Sequence, residues 1–197
     1  MTVAPEELLP PYAGIGMADV RLIRTEAEAA AALAALLKAD VLGFDTESKP
    51  TFAKGEVSTG PHLVQLATDE LAYLFQTATP AGSATALTVL KPVLESERIL
   101  KVGFGLGDDL RRLRAKLGIE PQNVLDLSTA LRRGERNALG AKSAVARFFG
   151  QRLQKSRRIT TTNWALPRLS DKQMQYAADD AHVALRIYRY WRANPPA

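Results

Sequence analysis

Asp45 and Glu47 end a short apolar run, Val41–Thr46, in the segment VLGFDTE. Side chains alternate along an extended strand, so Asp45 and Glu47 share one face and Thr46 takes the other. Two carboxylates side by side at a strand end repel each other. A divalent cation removes that cost and prefers hard oxygen ligands. A solvated acid pair at a strand–loop junction is the plainer alternative. A second pair, Tyr176 and Asp180, lies in YAADDAHVALRI with a spacing of four. That spacing stacks the two side chains on a helix, and Val183 and Ile187 continue the stripe. An apolar stripe faces inward, and an acid on an inward face needs a partner or a metal. Asp179, about 100° away around the helix, reads as a solvated acid. A third acidic pair, Asp108 and Asp109, follows Gly103-Phe104-Gly105-Leu106-Gly107. Acids at a helix start also simply complement the helix dipole. The run is not a dinucleotide-binding fingerprint, because Asp108 stands where that spacing requires glycine.

These residues need elements to hold them. Thr25 and Glu28 form a capping-box pattern ahead of an alanine-rich helix running to Lys38. Val41–Thr46 reads as a buried strand. His62–Ala67 and Leu71–Gln76 flank Thr68-Asp69-Glu70 and read as a hairpin. A helix is expected over Ser83–Ser96, broken or bent at Pro92. Ile99–Phe104 reads as a strand, Asp108–Lys116 as a helix and Val124–Leu127 as a short strand, with a short helix beginning after Asp126. Helices over Ala141–Phe149 and Ser170–Arg192 complete the set, the second opened by a Ser170/Gln173 capping box. Strands alternating with helices around one hairpin predict an α/β fold with a mixed sheet.

The 197 residues suffice for one core. We expect residues 1–19, with their prolines and glycines, to be an arm and residues 20–197 to be the domain. No apolar run reaches the roughly 18 residues of a membrane span. The first residues lack the basic and apolar regions of a signal peptide, so a cytoplasmic location and no membrane partner are expected. The absence of cysteine excludes disulfides, thiolate metal sites and a cysteine nucleophile. Net charge is +5, and it is concentrated: Lys101–Arg158 holds 14 Lys and Arg against 5 acids. Such asymmetry points to a polyanionic partner such as nucleic acid, or else to a solvated basic surface.

Taken together and in order, the three acidic motifs resemble those of the DEDD exonucleases of the RNase H-like fold. The resemblance is to the branch containing the Werner exonuclease domain and RNase D. VLGFDTE matches the first motif, HLVQLAT and LAYLF the hairpin after it, KVGFGLGDDLRRL the second motif, and LSDKQMQYAADDAHVALRIY the third. The register of the second motif selects Asp109 over Asp108. Tyr176, four residues before Asp180, implies the tyrosine subclass; the histidine subclass would place His at position 175, which is Gln175. His62, on the hairpin strand, fits a satisfied strand residue or a groove contact rather than a catalytic base.

The resemblance implies a 3′–5′ exonuclease releasing nucleoside 5′-monophosphates from nucleic acid with a free 3′ end, single-stranded or recessed. It implies a catalytic set of Asp45, Glu47, Asp109, Tyr176 and Asp180. Asp45, Glu47 and Asp180 would hold one metal, Asp45 would bridge to a second, and Asp109 would serve that second metal through water. All-oxygen ligands favour two divalent cations, Mg²⁺ or Mn²⁺, about 3.5–4 Å apart across the scissile phosphate. Tyr176, with a phenol pKa of about 10, would orient the attacking water. Substrate contacts are expected from Thr46, Phe104, Arg111, Arg112, Lys155, Arg157 and Arg158, and from Trp164 by stacking on a base or, alternatively, as a core residue. The first motif and the Lys49–Gly60 loop look closer to the Werner branch, which favours DNA over RNA. The competing readings are a non-catalytic nucleic-acid-binding or assembly module on the same fold, an RNA or short-oligonucleotide exoribonuclease, and an endonuclease of the RNase H-like fold.

Overall fold

Each element of the sheet follows from a short apolar run bounded by polar or turn-forming residues. A computed structural model of the chain describes residues 8–51, 55–132, 138–154 and 157–195. Six strands, β1 (Val20–Ile23), β2 (Val41–Glu47), β3 (Leu63–Ala67), β4 (Ala72–Gln76), β5 (Leu100–Gly103) and β6 (Val124–Asp126), form one mixed sheet in the order β1-β4-β3-β2-β5-β6. β3 pairs antiparallel with β2 and with β4; the other neighbours pair in parallel. One reversed strand in a mixed sheet is the architecture expected from the sequence, and the hairpin falls where its turn residues place it.

The helices are α1 (Glu26–Leu36), α2 (Pro80–Leu94), α3 (Gly107–Arg112), α4 (Leu127–Ala130), α5 (Ala141–Phe149), α6 (Arg157–Thr160) and α7 (Asp171–Ala193). Both predicted capping boxes form: Thr25 with Glu28 opens α1, and Ser170 with Gln173 opens α7. α2 starts earlier than expected. Thr79 caps it, and Pro80 sits where its missing N–H costs nothing. The helix runs through Pro92 to Leu94, so Pro92 does not break it. The helix expected over Asp108–Lys116 is split: α3 is followed by a wider π-helical turn, Leu113–Leu117, closed by Gly118 in the left-handed region. β1, which had no clear signal, is an edge strand of four residues, none of them fully buried.

β2 is a central strand buried on both faces, which is why it reads as a continuous apolar run. Leu42 and Phe44 face a core with Leu36 of α1 and Leu90 and Leu94 of α2. Val41 faces a second core with Val145 of α5 and Val183, Leu185 and Ile187 of α7. The sheet is thus a middle layer, and α7 lies across the face that carries Gly43, Asp45 and Glu47. Residues 8–19 pack against this body. Tyr12 donates its N–H to Arg152 O at 2.9 Å, and Ile15 is buried.

Candidate active site

The acidic centre is built by one strand end and one helix. Asp45 and Glu47 project from β2 toward α7, and Asp180 comes down from α7. One oxygen of each of these three carboxylates lies within 4.8 Å of the others. Glu47 and Asp180 are buried and Asp45 is half-buried. Among the described residues this is the one such group of metal-ligating side chains.

Gly43 explains how helix and strand come so close. It shares a face with Asp45 and Glu47, and a Cβ there would lie 1.9 Å from the Ala181 carbonyl oxygen. A glycine inside a strand marks close backbone approach. Here the approaching backbone belongs to the residue after Asp180.

Asp109 arrives from the other side of β2. Thr46 donates its hydroxyl to Asp109 Oδ1, and its N–H lies 2.8 Å from Asp45 Oδ1. Thr46, expected to touch substrate, is buried and links the two acids. Burial pushes the Asp109 carboxyl above its usual range, while the Thr46 hydroxyl and the Arg112 guanidinium pull it down. Asp109 is outside the group of three. Its neighbour Asp108 is exposed and paired with Arg111 at 2.9 Å and Arg112 at 3.8 Å. Of the two candidates, Asp109 is therefore the inward one.

The loop that delivers Asp109 is held by Asp126, a residue the sequence marked only as the start of a helix. Its carboxylate accepts the Gly105 and Leu106 N–H groups, both at 3.0 Å, and the Ser128 N–H at 2.9 Å. Gly105 has φ +68°, and a Cβ on Gly103 would lie 2.3 Å from the Phe44 carbonyl oxygen. The glycines thus serve a tight turn pressed against β2.

Tyr176 lies one turn before Asp180 on α7. Its hydroxyl is 3.0 Å from Thr160 Oγ1, and its ring packs against Trp164 at 6.1 Å between centroids. Trp164 is fully buried, and its Nε1 donates to Thr160 O at 3.3 Å. Of the two readings of Trp164, base stacking and core residue, the structure fits the core residue. A fully buried indole has no face to offer, and it packs behind Tyr176 instead.

His62 is also a structural residue. Its Nδ1 accepts the Lys49 N–H at 3.0 Å, so Nε2 carries the proton and donates to Thr59 Oγ1 at 3.0 Å. Burial, Lys49 and Arg112 hold its pKa below the usual value, which keeps this neutral form. Asp179 departs from its expected solvated state: it is half-buried and accepts the Ile15 N–H at 2.9 Å, and burial raises its pKa. Arg111 and Arg158 are exposed, Arg112 is partly so, and Phe104 is half-buried against the α5–α7 core. Lys155 and the side chain of Arg157 lie outside the described residues.

Three carboxylates so close together form an all-oxygen donor set suited to a hard divalent cation. A cation would also offset their mutual repulsion. The residues present therefore fit a metal of the Mg²⁺ or Mn²⁺ kind.

A family model described as 3′-5′ exonuclease matches residues 20–193. A 3′-5′ exonuclease of Arabidopsis thaliana is 28% identical over 162 residues, 79% of this chain and 54% of that protein. The mouse bifunctional 3′-5′ exonuclease/ATP-dependent helicase WRN is 28% identical over 156 residues, 76% of this chain and 11% of that protein. The chain thus spans about half of the first relative and about a tenth of the second. Among solved structures, Trypanosoma brucei RNase D in complex with RNA U12 matches with a TM-score of 0.78 at 23% identity, covering 89% of this chain and 63% of that one. The Aedes aegypti Nibbler EXO domain matches with a TM-score of 0.72 at 26% identity, covering 89% and 88%.

Proposed function

This chain belongs to the 3′–5′ exonuclease family, and on that premise we propose that it removes nucleoside 5′-monophosphates stepwise from 3′ ends by a two-metal mechanism. The observation that carries the reading is the convergence of Asp45, Glu47 and Asp180 within 4.8 Å. These three would hold one divalent cation, Asp45 would also reach a second, and Asp109 would serve the second through water. Bound there, Mg²⁺ or Mn²⁺ supplies Lewis-acid polarisation of the phosphate and makes water a stronger acid.

The chain's own residues do the rest. Thr46 keeps Asp45 and Asp109 in fixed orientation through its N–H and hydroxyl. The Tyr176 hydroxyl, steadied by Thr160, orients the attacking water; a phenol with a pKa of about 10 is a poor base at neutral pH. Arg111, Arg112 and Arg158, with Lys155 and Arg157, supply positive charge for the phosphates.

The preferred substrate is DNA with a free 3′ end, on the likeness of the first motif to the Werner branch. RNA is the second reading, favoured by the Trypanosoma brucei RNase D structure, which holds RNA U12.

End-labelled single-stranded DNA, recessed duplex DNA, RNA of the same sequence and dinucleotides, each with Mg²⁺ and with Mn²⁺, test the proposal. We expect a ladder shortening from the 3′ end, abolished in Asp45→Ala and in Asp180→Ala although both remain folded. Residual cleavage comparable to wild type in either variant would sink the assignment. Faster digestion of RNA would reverse the sugar preference, and cleavage of circular single strands would indicate an endonuclease.

A further inference from the structure

Gln65 is fully buried at the middle of β3, and both polar atoms of its amide lack a hydrogen-bond partner. A buried amide without partners bears its whole desolvation penalty, and nearly all such groups in folded proteins are satisfied. Its neighbours explain why none is found locally. On the same face of β3, Leu63 packs with Trp164, Tyr176 and Ala177, and Ala67 packs with Ala178 and Ala181. The facing residue on β4 is Leu74, again apolar. Gln65 is therefore a polar side chain set into an apolar seam between β3 and α7. Leucine would fill that seam at lower cost.

Its register shows what the amide is for. Gln65 is the cross-strand partner of Asp45. Directly opposed residues on antiparallel strands share a face, with Cβ atoms about 4.5–5.5 Å apart. The amide thus stands beside the carboxylate that groups with Glu47 and Asp180. The amide makes no direct hydrogen bond to that carboxylate, and one trapped water would bridge the two.

We propose that Gln65 is a positioning residue for Asp45. Its amide, facing Asp45 across the strand pair, acts through one trapped water to hold that carboxylate in the orientation that the cation requires, and stability is given up for that hold. The inference rests on the metal-site reading above. Partners of metal-ligating carboxylates act in this way in general: they set ligand orientation without touching the ion.

The experiment compares wild type with Gln65→Leu and Gln65→Met, reading thermal unfolding across a Mn²⁺ titration alongside cleavage rate. Without metal, Gln65→Leu should melt higher than wild type, by about 2–4 °C. The Mn²⁺ concentration giving half of the thermal stabilisation should nevertheless rise about 10- to 100-fold, with a parallel loss in kcat. Gln65→Met, which also lacks an amide, should show the same weakened response and carries the test if the leucine variant cannot be recovered. A merely structural glutamine predicts lower stability and an unchanged Mn²⁺ midpoint. That outcome, or wild-type Mn²⁺ binding in both variants, overturns the inference alone. A wild-type chain that Mn²⁺ does not stabilise overturns the metal site and the inference with it.

Discussion

Gly43 of β2 lies directly beneath Ala181 of α7, so close that a single methyl group would meet the Ala181 carbonyl oxygen at 1.9 Å. This contact sets the height of α7 above the sheet, and with it the distance from Asp180 to Asp45 and Glu47. Gly43→Ala should therefore lift the helix. We expect stability to fall by about 1–3 kcal/mol, as for other overpacked sites. Activity should fall more steeply, by about 100-fold, because misplacing a reacting group by an ångström is costly. Urea unfolding and single-turnover cleavage measure the two losses separately, and equal fractional losses would refute the spacing argument.

The Thr46 hydroxyl bond to Asp109 predicts a pH effect. Burial already raises the Asp109 pKa, and the hydroxyl opposes that rise. Thr46→Val keeps the shape and removes the donor, so the pKa moves further up. In the proposed mechanism Asp109 serves a cation only when ionised. The acidic limb of the kcat/KM profile should thus shift to higher pH, with roughly a 10-fold loss near neutrality. Thr46→Ser, which retains the donor, should keep the wild-type profile.

Tyr176 and Thr160 make a graded pair. Tyr176→Phe removes the hydroxyl proposed to orient water and should lower kcat by about 100-fold. Thr160→Val removes only the group that steadies that hydroxyl and should cost about 10-fold. Neither should alter the Mn²⁺ midpoint in thermal titrations. A fully active Tyr176→Phe would remove the water-orienting role.

Lys101 of β5 predicts an alkaline signature. It is fully buried, its Nζ donates to Ser96 O at 2.7 Å and Ile99 O at 2.8 Å, and burial lowers its pKa from 10.5 to about 8. Between pH 8 and 10.5 the unfolded chain therefore holds more protons at this position than the folded chain. Stability must rise with pH across that window, by up to about 3 kcal/mol from this group. Lys101→Met should lose the rise. The check is the difference in unfolding free energy between wild type and variant as a function of pH, which cancels the other titrating groups.

Much of the fold was legible because it is written in local patterns. Thr25 with Glu28 and Ser170 with Gln173 announce two helices, and both caps form. The period-two spacing of Asp45 and Glu47 and the spacing of Tyr176 and Asp180 set which side chains share a face. β1 was silent, because an edge strand of four residues, three half-buried and one exposed, has neither an apolar run nor clean alternation. Thr79-Pro80 was an available start signal for α2 that the apolar pattern obscured.

The sequence by itself determined the residue types, their order and each local pair, and the order of the acidic motifs was enough to expose the family. Tertiary structure alone decided the rest. It brought Asp180 to a strand end 135 positions earlier in the chain, turned Asp109 inward and left Asp108 exposed, buried Trp164 behind Tyr176, and set Gln65 opposite Asp45. The reason is physical: periodicity specifies a direction within one element, whereas burial and long-range pairing depend on which elements the sheet brings into contact, and here a glycine under a helix determines how close they come.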